Sequence, residues 1–318
     1  MRILVLGGTS FVGRAIVEDA LQRGHEVTLF SRGKTGTELF PEVERRVGDR
    51  ESGDYRALEG GSWDATVDVS GYIPRHVEQA AKALGASAGR YLFISTGSVY
   101  DKDAAGEQMT ELTPRLPAER STDEITGATY GPLKVACEDD VLSTYGDKAT
   151  IVRPGIVAGP HDPTDRFTYW VRRAARGGAV ALPGRIDQPV QVVDSRDLAR
   201  LCLRLLEDDK GGIYNAVGPG SPTTMAELIA ACALGAGTTV EVVPVAPDAV
   251  EGGLPLMLPP DYDVMFRRDR SAADAAGMPA TPLEQTARDT LAWDRARGLP
   301  DLPQDLSPER EAELIASA

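Results

Sequence analysis

The chain has 318 residues, enough for one large or two modest domains with an ample core. Apolar residues make up 42% and charged residues 26%, the balance of an ordinary globular protein, and the formal net charge of −14 disfavours nucleic acid or an anionic membrane as partner. The cysteines, Cys137, Cys202 and Cys232, stand far apart, and His25, His76 and His161 lack metal-ligand spacing, so neither a disulfide frame nor a metal site is expected. An apolar strand that begins at residue 2 leaves no room for a signal peptide, and no apolar run reaches membrane-span length, which points to a cytoplasmic protein.

The first stretch, MRILVLGGTSFVG, organises the rest. Residues 2–6 read as a strand buried on both faces, the glycines force a tight turn, and Ala15, Ile16, Ala20 and Leu21 announce a helix that Gly24 stops. A strand, a Gly-rich turn and a helix leave backbone N–H groups aimed at a negatively charged ligand, and a pyrophosphate suits that place. Gly7 allows the turn and Gly13 close packing, while Ser10 replaces the middle glycine of a G-x-x-G-x-x-G spacing. The cofactor-binding candidates here are Gly7, Thr9, Ser10, Phe11, Val12 and Gly13.

Residues 25–34 form a second strand whose end decides the cofactor: an acid there would bind the ribose hydroxyls of NAD, a base the 2′-phosphate of NADP. The sequence supplies Ser31, Arg32 and Lys34 and no carboxylate before Glu38, which selects NADP over NAD. A third strand over 44–50 carries Asp49 and Arg50 at its end, where Asp49 would accept from the adenine amino group or simply make a turn. A fourth, over 63–72, ends in the small pair Ser70 and Gly71, followed by Tyr72; a helix over 74–84 has Pro74 in its first turn.

The fifth strand, over 90–100, passes into hydroxyl residues, so Thr96 and Ser98 fall beyond the carboxyl end of the sheet, where ligands of doubly wound folds bind. Tyr130 and Lys134 are spaced i, i+4 on a helix that Gly131 and Pro132 confine to starting nearby. A sixth strand and its Pro/Gly-rich exit span 149–160, and His161, Arg166, Phe167 and Trp170 cluster just after it as candidate substrate contacts. Residues 188–207 return a strand and a helix, and 211–218 one more strand. From Ser221 the pattern changes to a helix over 224–234, a strand over 238–243, a Pro/Gly-rich stretch to Asp263, a helix over 283–296, and a tail in which Ser307 and Pro308 open a last short helix.

Together GGTSFVG, ISTGSVY, YGPLK, VRPGIVAGP, VVDSRDLA and DTLAWDRARG resemble the extended short-chain dehydrogenase/reductases, the NAD-dependent epimerase/dehydratase family, over nearly the whole chain. GGTSFVG and SRGK look more like its atypical branch, which contains the chloroplast stem-loop-binding proteins, some of them linked to RNA. The resemblance implies an α/β doubly wound parallel sheet of Rossmann type at 1–160, with 188–218 returning to it, and a smaller discontinuous substrate-binding domain at 161–187 and 219–318. By the same match Thr96, Tyr130 and Lys134 are catalytic, Lys134 also binds the nicotinamide ribose, Pro154 lies against the nicotinamide, and helices pair in a homodimer. Tyr72 and Ser98 join His161, Arg166 and Trp170 as substrate-binding candidates. Gly97 and Ser98 stand where the family's dehydratases carry acids, so a 4,6-dehydratase is not expected.

The functional expectation is an NADP-dependent oxidoreductase moving a hydride between nicotinamide and the carbonyl or alcohol of a small molecule. Two rivals are a nucleotide-sugar epimerase with bound NAD, and a non-catalytic dinucleotide-sensing or RNA-binding protein.

Overall fold

The computed structural model describes residues 1–219 and 222–318; Gly220 and Ser221, where the sequence pattern changes, lie outside the described residues. The chain folds as two compact units: Met1–Gly155 with Arg196–Val217 and Arg268–Pro279, and Ile156–Ser195 with Gly218–Arg267 and Ala280–Ala318.

The first unit is built on β1 (Arg2–Leu6), β2 (Glu26–Ser31), β3 (Glu44–Val47), β4 (Ala65–Asp68), β5 (Arg90–Ile94), β6 (Ala149–Pro154) and the strand Gly212–Ala216. All pair in parallel, in the order Gly212–Ala216, β6, β5, β4, β1, β2, β3. The chain therefore reverses direction across the sheet between β1 and β4, and a doubly wound sheet opens its crevice at that switch. Strands covered on both faces must be apolar throughout, and Ile3, Leu4, Val5 and Leu6 have no exposed surface.

Helix α1 (Phe11–Gln22) starts ahead of the apolar residues that announce it, because Ser10 takes the extended N-cap conformation directly after the glycines. Helix α2 (Pro74–Leu84) keeps Pro74 in its first turn, where the missing N–H costs nothing. Helix α3 (Tyr130–Tyr145) carries Gly131 and Pro132 in its first turn. Leu4, Leu6, Tyr91 and Phe93 of the sheet pack with Val77 of α2 and Cys137 and Val141 of α3 in one core.

The sixth strand ends sooner than its sequence suggests. β6 stops at Pro154, and Ile156–Ala158 belongs to the second unit, pairing in parallel with Val192–Asp194. Proline has no N–H to continue the ladder, so the apolar run 149–158 is split there. Within the second unit α4 (Arg166–Ala175) is held by Arg172, bidentate to Asp294 at 2.9 and 2.8 Å. The strand Gly178–Pro183, not anticipated from sequence, pairs in parallel with Val240–Val245.

Helix α5 (Ser195–Glu207) follows the Val192–Asp194 strand, and α6 (Met225–Ala236) opens on a capping box between Thr224 and Glu227. A short α7 (Ser271–Ala275), within a segment that the sequence reading gives to the substrate domain, belongs to the first unit. Helices α8 (Leu283–Ala296) and α9 (Pro308–Ala316) follow, α9 capped by Ser307. Among the described residues no helix is long and apolar enough to cross a membrane.

A Cβ on Gly13 would lie 2.7 Å from the backbone nitrogen of Gly8, so Gly13→Ala forces α1 off its turn. The expected cost is about 1–3 kcal/mol, read as a lower urea midpoint.

Candidate active site

The turn after β1 places Gly7 at φ +110° and Gly8 at φ +103°, conformations that side chains resist. Ser10 makes no side-chain capping bond, and the first turn of α1 holds no acid, so neither puts a side-chain acceptor on the donors at that helix end. Such a cradle fits a pyrophosphate. Gly36, at φ +57°, brings the following loop against Thr9, since a Cβ there would sit 3.0 Å from the Thr9 Cβ. Arg32 and Lys34 in that loop are exposed, and among the described residues neither forms an ion pair; Ser31 Oγ accepts from Gly33 N–H at 3.3 Å.

Two candidates at the strand ends are engaged within the chain. The Asp49 carboxylate accepts from Glu51 N–H at 3.1 Å, the turn alternative. Arg50 is buried, and its guanidinium is bidentate to Asp68 at 2.5 and 2.8 Å. It also donates to Ser70 Oγ at 2.9 Å, to the His76 carbonyl at 2.9 Å and to Tyr55 Oη at 3.2 Å.

Asp68 has no exposed surface at the end of β4 and needs a counter-charge there, so Arg50 turns inward beneath the crevice instead of presenting itself to a cofactor. Burial alone would raise the Asp68 carboxyl, but Arg50 and the Tyr91 hydroxyl, donating at 2.7 Å, hold it below its ordinary value. Ser70 is likewise engaged, donating to the Leu6 carbonyl at 2.9 Å. A Cβ on Gly71 would meet the Phe93 ring at 2.8 Å, which explains the small residue.

The three residues singled out for chemistry gather in the first unit. Thr96 follows β5 by two residues and caps the short turn Gly97–Val99, its Oγ1 accepting from Ser98 N–H at 3.1 Å. The first turn of α3 packs directly on that turn: a Cβ on Gly131 would lie 2.3 Å from the Ser98 carbonyl oxygen. Tyr130, half-buried, opens the helix.

One turn on, Lys134 is 2% exposed, and its ammonium donates to the carbonyls of Gly71 at 2.7 Å and Ile94 at 2.8 Å. It also lies 3.9 Å from the Phe93 ring centroid and 5.7 Å from that of the exposed Tyr72. Burial pushes this lysine down to about 8, against the pull of Cys137, Asp68 and Glu138. Pro154, the last residue of β6, is buried.

The remaining candidates lie in the second unit. Trp170 is fully buried, its Nε1 donating to the Pro255 carbonyl at 2.7 Å, so packing rather than ligand contact accounts for it. Arg166 is exposed and donates to Thr164 Oγ1 at 3.1 Å, and the half-buried His161 packs edge-on to Trp293 at 5.4 Å. Sequence reasoning passed over Asp68, Glu138 and Arg153. The available signal was a charge inside an apolar strand in two cases, and helical spacing from Lys134 in the third.

A doubly wound parallel sheet with an open Gly-rich turn defines a Rossmann dinucleotide-binding protein. The profile of the NAD dependent epimerase/dehydratase family matches residues 3–60 and 61–217, and the chain belongs to that family. It is an atypical member of the extended short-chain dehydrogenase/reductases.

It is 26% identical over 253 residues to chloroplast stem-loop binding protein of 41 kDa b from Arabidopsis thaliana, covering 74% of this chain and 63% of that one. It is 28% identical over 187 residues to 3-beta-hydroxysteroid dehydrogenase from Mycolicibacterium neoaurum, covering 51% and 49% respectively. The chain thus spans about half to two thirds of the length of these relatives. Among solved structures it is similar to the Bordetella bronchiseptica enzyme WbmH in complex with NAD+, with a TM-score of 0.68, 19% identity, and coverage of 93% of this chain and 99% of the other. Family and fold support a nicotinamide dinucleotide as cofactor.

Arg50→Met leaves the Asp68 charge buried without its partner. A loss of about 3–5 kcal/mol is expected in urea unfolding.

Proposed function

We propose that the protein is an NADP-dependent oxidoreductase acting on the carbonyl or alcohol of a small molecule. The observation that carries this reading is the Tyr130–Lys134 face of α3, packed by Gly131 onto the turn that Thr96 caps, at the carboxyl edge of the sheet. Backbone donors at the start of α1 would hold the pyrophosphate, and the exposed Arg32 and Lys34, with Ser31, would take the 2′-phosphate. When bound, the nicotinamide supplies or accepts the hydride.

In reduction Tyr130 gives its phenolic proton to the carbonyl oxygen as negative charge develops there, and in oxidation its phenolate takes the proton back. A free phenol titrates near 10 and is a poor base at neutral pH. The Lys134 ammonium one turn away stabilises the phenolate and lowers that barrier. Thr96 donates a hydrogen bond to the same substrate oxygen, a preorganised contact of the kind worth a few kcal/mol in a transition state. Gly97 and Ser98 offer no carboxyl group for dehydration.

Charge-assisted hydrogen bonds contribute about 1.5–3 kcal/mol, so Arg32→Ala should weaken NADPH binding by about tenfold or more in a tryptophan-fluorescence titration and leave NADH binding unchanged. Tighter binding of NADH by the unmodified protein would refute the cofactor assignment.

Tyr130→Phe should lower turnover by a factor on the order of 10²–10⁴ while the NADPH titration is preserved. Retained turnover would remove Tyr130 from the reaction.

A further inference from the structure

Glu138 lies one turn beyond Lys134 and two beyond Tyr130, on the same i, i+4, i+8 face of α3. Its carboxylate has no exposed surface, an environment that costs several kcal/mol unless counter-charge and hydrogen bonds offset it. Three other segments supply them. Ser95 Oγ donates to Oε1 at 2.6 Å, Arg153 Nε to Oε1 at 2.9 Å, Arg153 Nη2 to Oε2 at 2.6 Å, and Arg115 Nη1 to Oε2 at 3.1 Å.

Ser95 immediately precedes Thr96, and Arg153 immediately precedes Pro154. Ser95 N–H also donates to the Val152 carbonyl at 2.7 Å, which locks the ends of β5 and β6 side by side. Arg153 Nη1 reaches Tyr100 Oη at 2.9 Å, and that hydroxyl donates to Asn215 Oδ1 at 2.6 Å. The segment 95–100, which carries Thr96, is thus tied at both ends to one buried ion pair on the helix that carries Tyr130 and Lys134.

We propose that Glu138 is a positioning residue, which through Ser95 and Arg153 fixes the Thr96 hydroxyl against the Tyr130–Lys134 face of α3. The proposal rests on reading those three side chains as the reacting set. Of the bonds that satisfy the carboxylate, the Ser95 arm is the one that reaches the residue beside Thr96.

A second consequence concerns charge. Lys134 faces Asp68 from β4, Cys137 and Glu138 from its own helix, and Arg50 from the segment after β3. Burial has already brought it down to about 8, so loss of the Glu138 charge disfavours the ammonium further and moves its titration to lower pH.

The experiment uses the full chain with Ser95→Ala and Glu138→Gln, and three readouts: amide hydrogen exchange over 95–99, the ¹³Cε resonance of Lys134 against pH, and NADPH-driven reduction of 9,10-phenanthrenequinone. Losing one buried hydrogen bond, Ser95→Ala should speed exchange at Thr96–Val99 about tenfold and leave the Lys134 midpoint in place. Misplacement of Thr96 should lower kcat for the quinone by about 10- to 100-fold with KM for NADPH unchanged. Glu138→Gln should lower the Lys134 midpoint by about one pH unit.

Unchanged exchange and kcat in Ser95→Ala overturn the proposal, as does unchanged exchange over 95–99 in a folded Glu138→Gln. If Glu138→Gln does not fold, Ser95→Ala alone decides. A wild-type protein that binds no NADPH or leaves the quinone untouched refutes the oxidoreductase reading, while exchange in Ser95→Ala still decides whether Glu138 positions Thr96.

Discussion

An ammonium buried against two strand ends is the constraint on which the first unit depends. A parallel sheet gathers the carboxyl ends of its strands along one edge, where carbonyls beyond the last ladder bonds need donors. Lys134 answers the ends of β4 and β5, donating to the Gly71 and Ile94 carbonyls from a site 2% exposed. An ammonium in such a place sacrifices most of its hydration, and its titration falls to about 8 because the carbonyls, the Phe93 face and nearby acids offset only part of that loss. The helix carrying Lys134 is fixed in rotation as a consequence, and Tyr130, one turn earlier, is fixed with it.

The same edge collects other cations although the chain as a whole is acidic, at −14. Arg50 is spent on Asp68 and Arg153 on Glu138, each in a bidentate pair with its carboxylate fully buried. Pairs of this kind stabilise little relative to an apolar core of the same shape, but they fix angles and registers. Arg32 and Lys34 are of another kind: exposed, outside any ion pair among the described residues, and on a loop that Gly36 presses against Thr9. Inward cations set the scaffold, and outward cations stay open to solvent. Position along the chain does not separate the two groups; burial does.

This is where sequence and structure part. β1 was readable because double burial demands unbroken Ile, Val and Leu, and α2 and α8 keep the bounds that their prolines and apolar spacing suggest. The Tyr130–Lys134 pair was readable because helical spacing is local. The inward turn of Arg50 was not legible because its partner Asp68 is eighteen positions away, and only folding shows that a fully buried carboxylate waits there. The burial of Trp170 was hidden for a similar reason: aromatic and charged residues after a sheet exit look alike whether they line a pocket or fill a core. Gly178–Pro183 escaped notice because six residues with two glycine neighbours and one proline carry little strand signal without their partner Val240–Val245. The return of 268–279 to the first unit is a tertiary fact with no local mark.

That return bears on the chemistry. Arg268, fully buried and brought down to about 10 by that burial, donates to the Gly97 carbonyl at 3.3 Å. A Cβ on Gly97 would come within 2.4 Å of its guanidinium carbon and 2.7 Å of Nε. Position 97 is one of the two at which the resemblance places the acids of the family's dehydratases, and here the Arg268 guanidinium occupies the space beside it. An acid introduced there would first have to displace Arg268, and once beside it would be held ionised, with no proton to give. Volume and charge at position 97 thus both stand against an acid there, and the carboxyl edge holds a phenol, an ammonium and a hydroxyl, the groups on which the proposed carbonyl reduction and alcohol oxidation would draw.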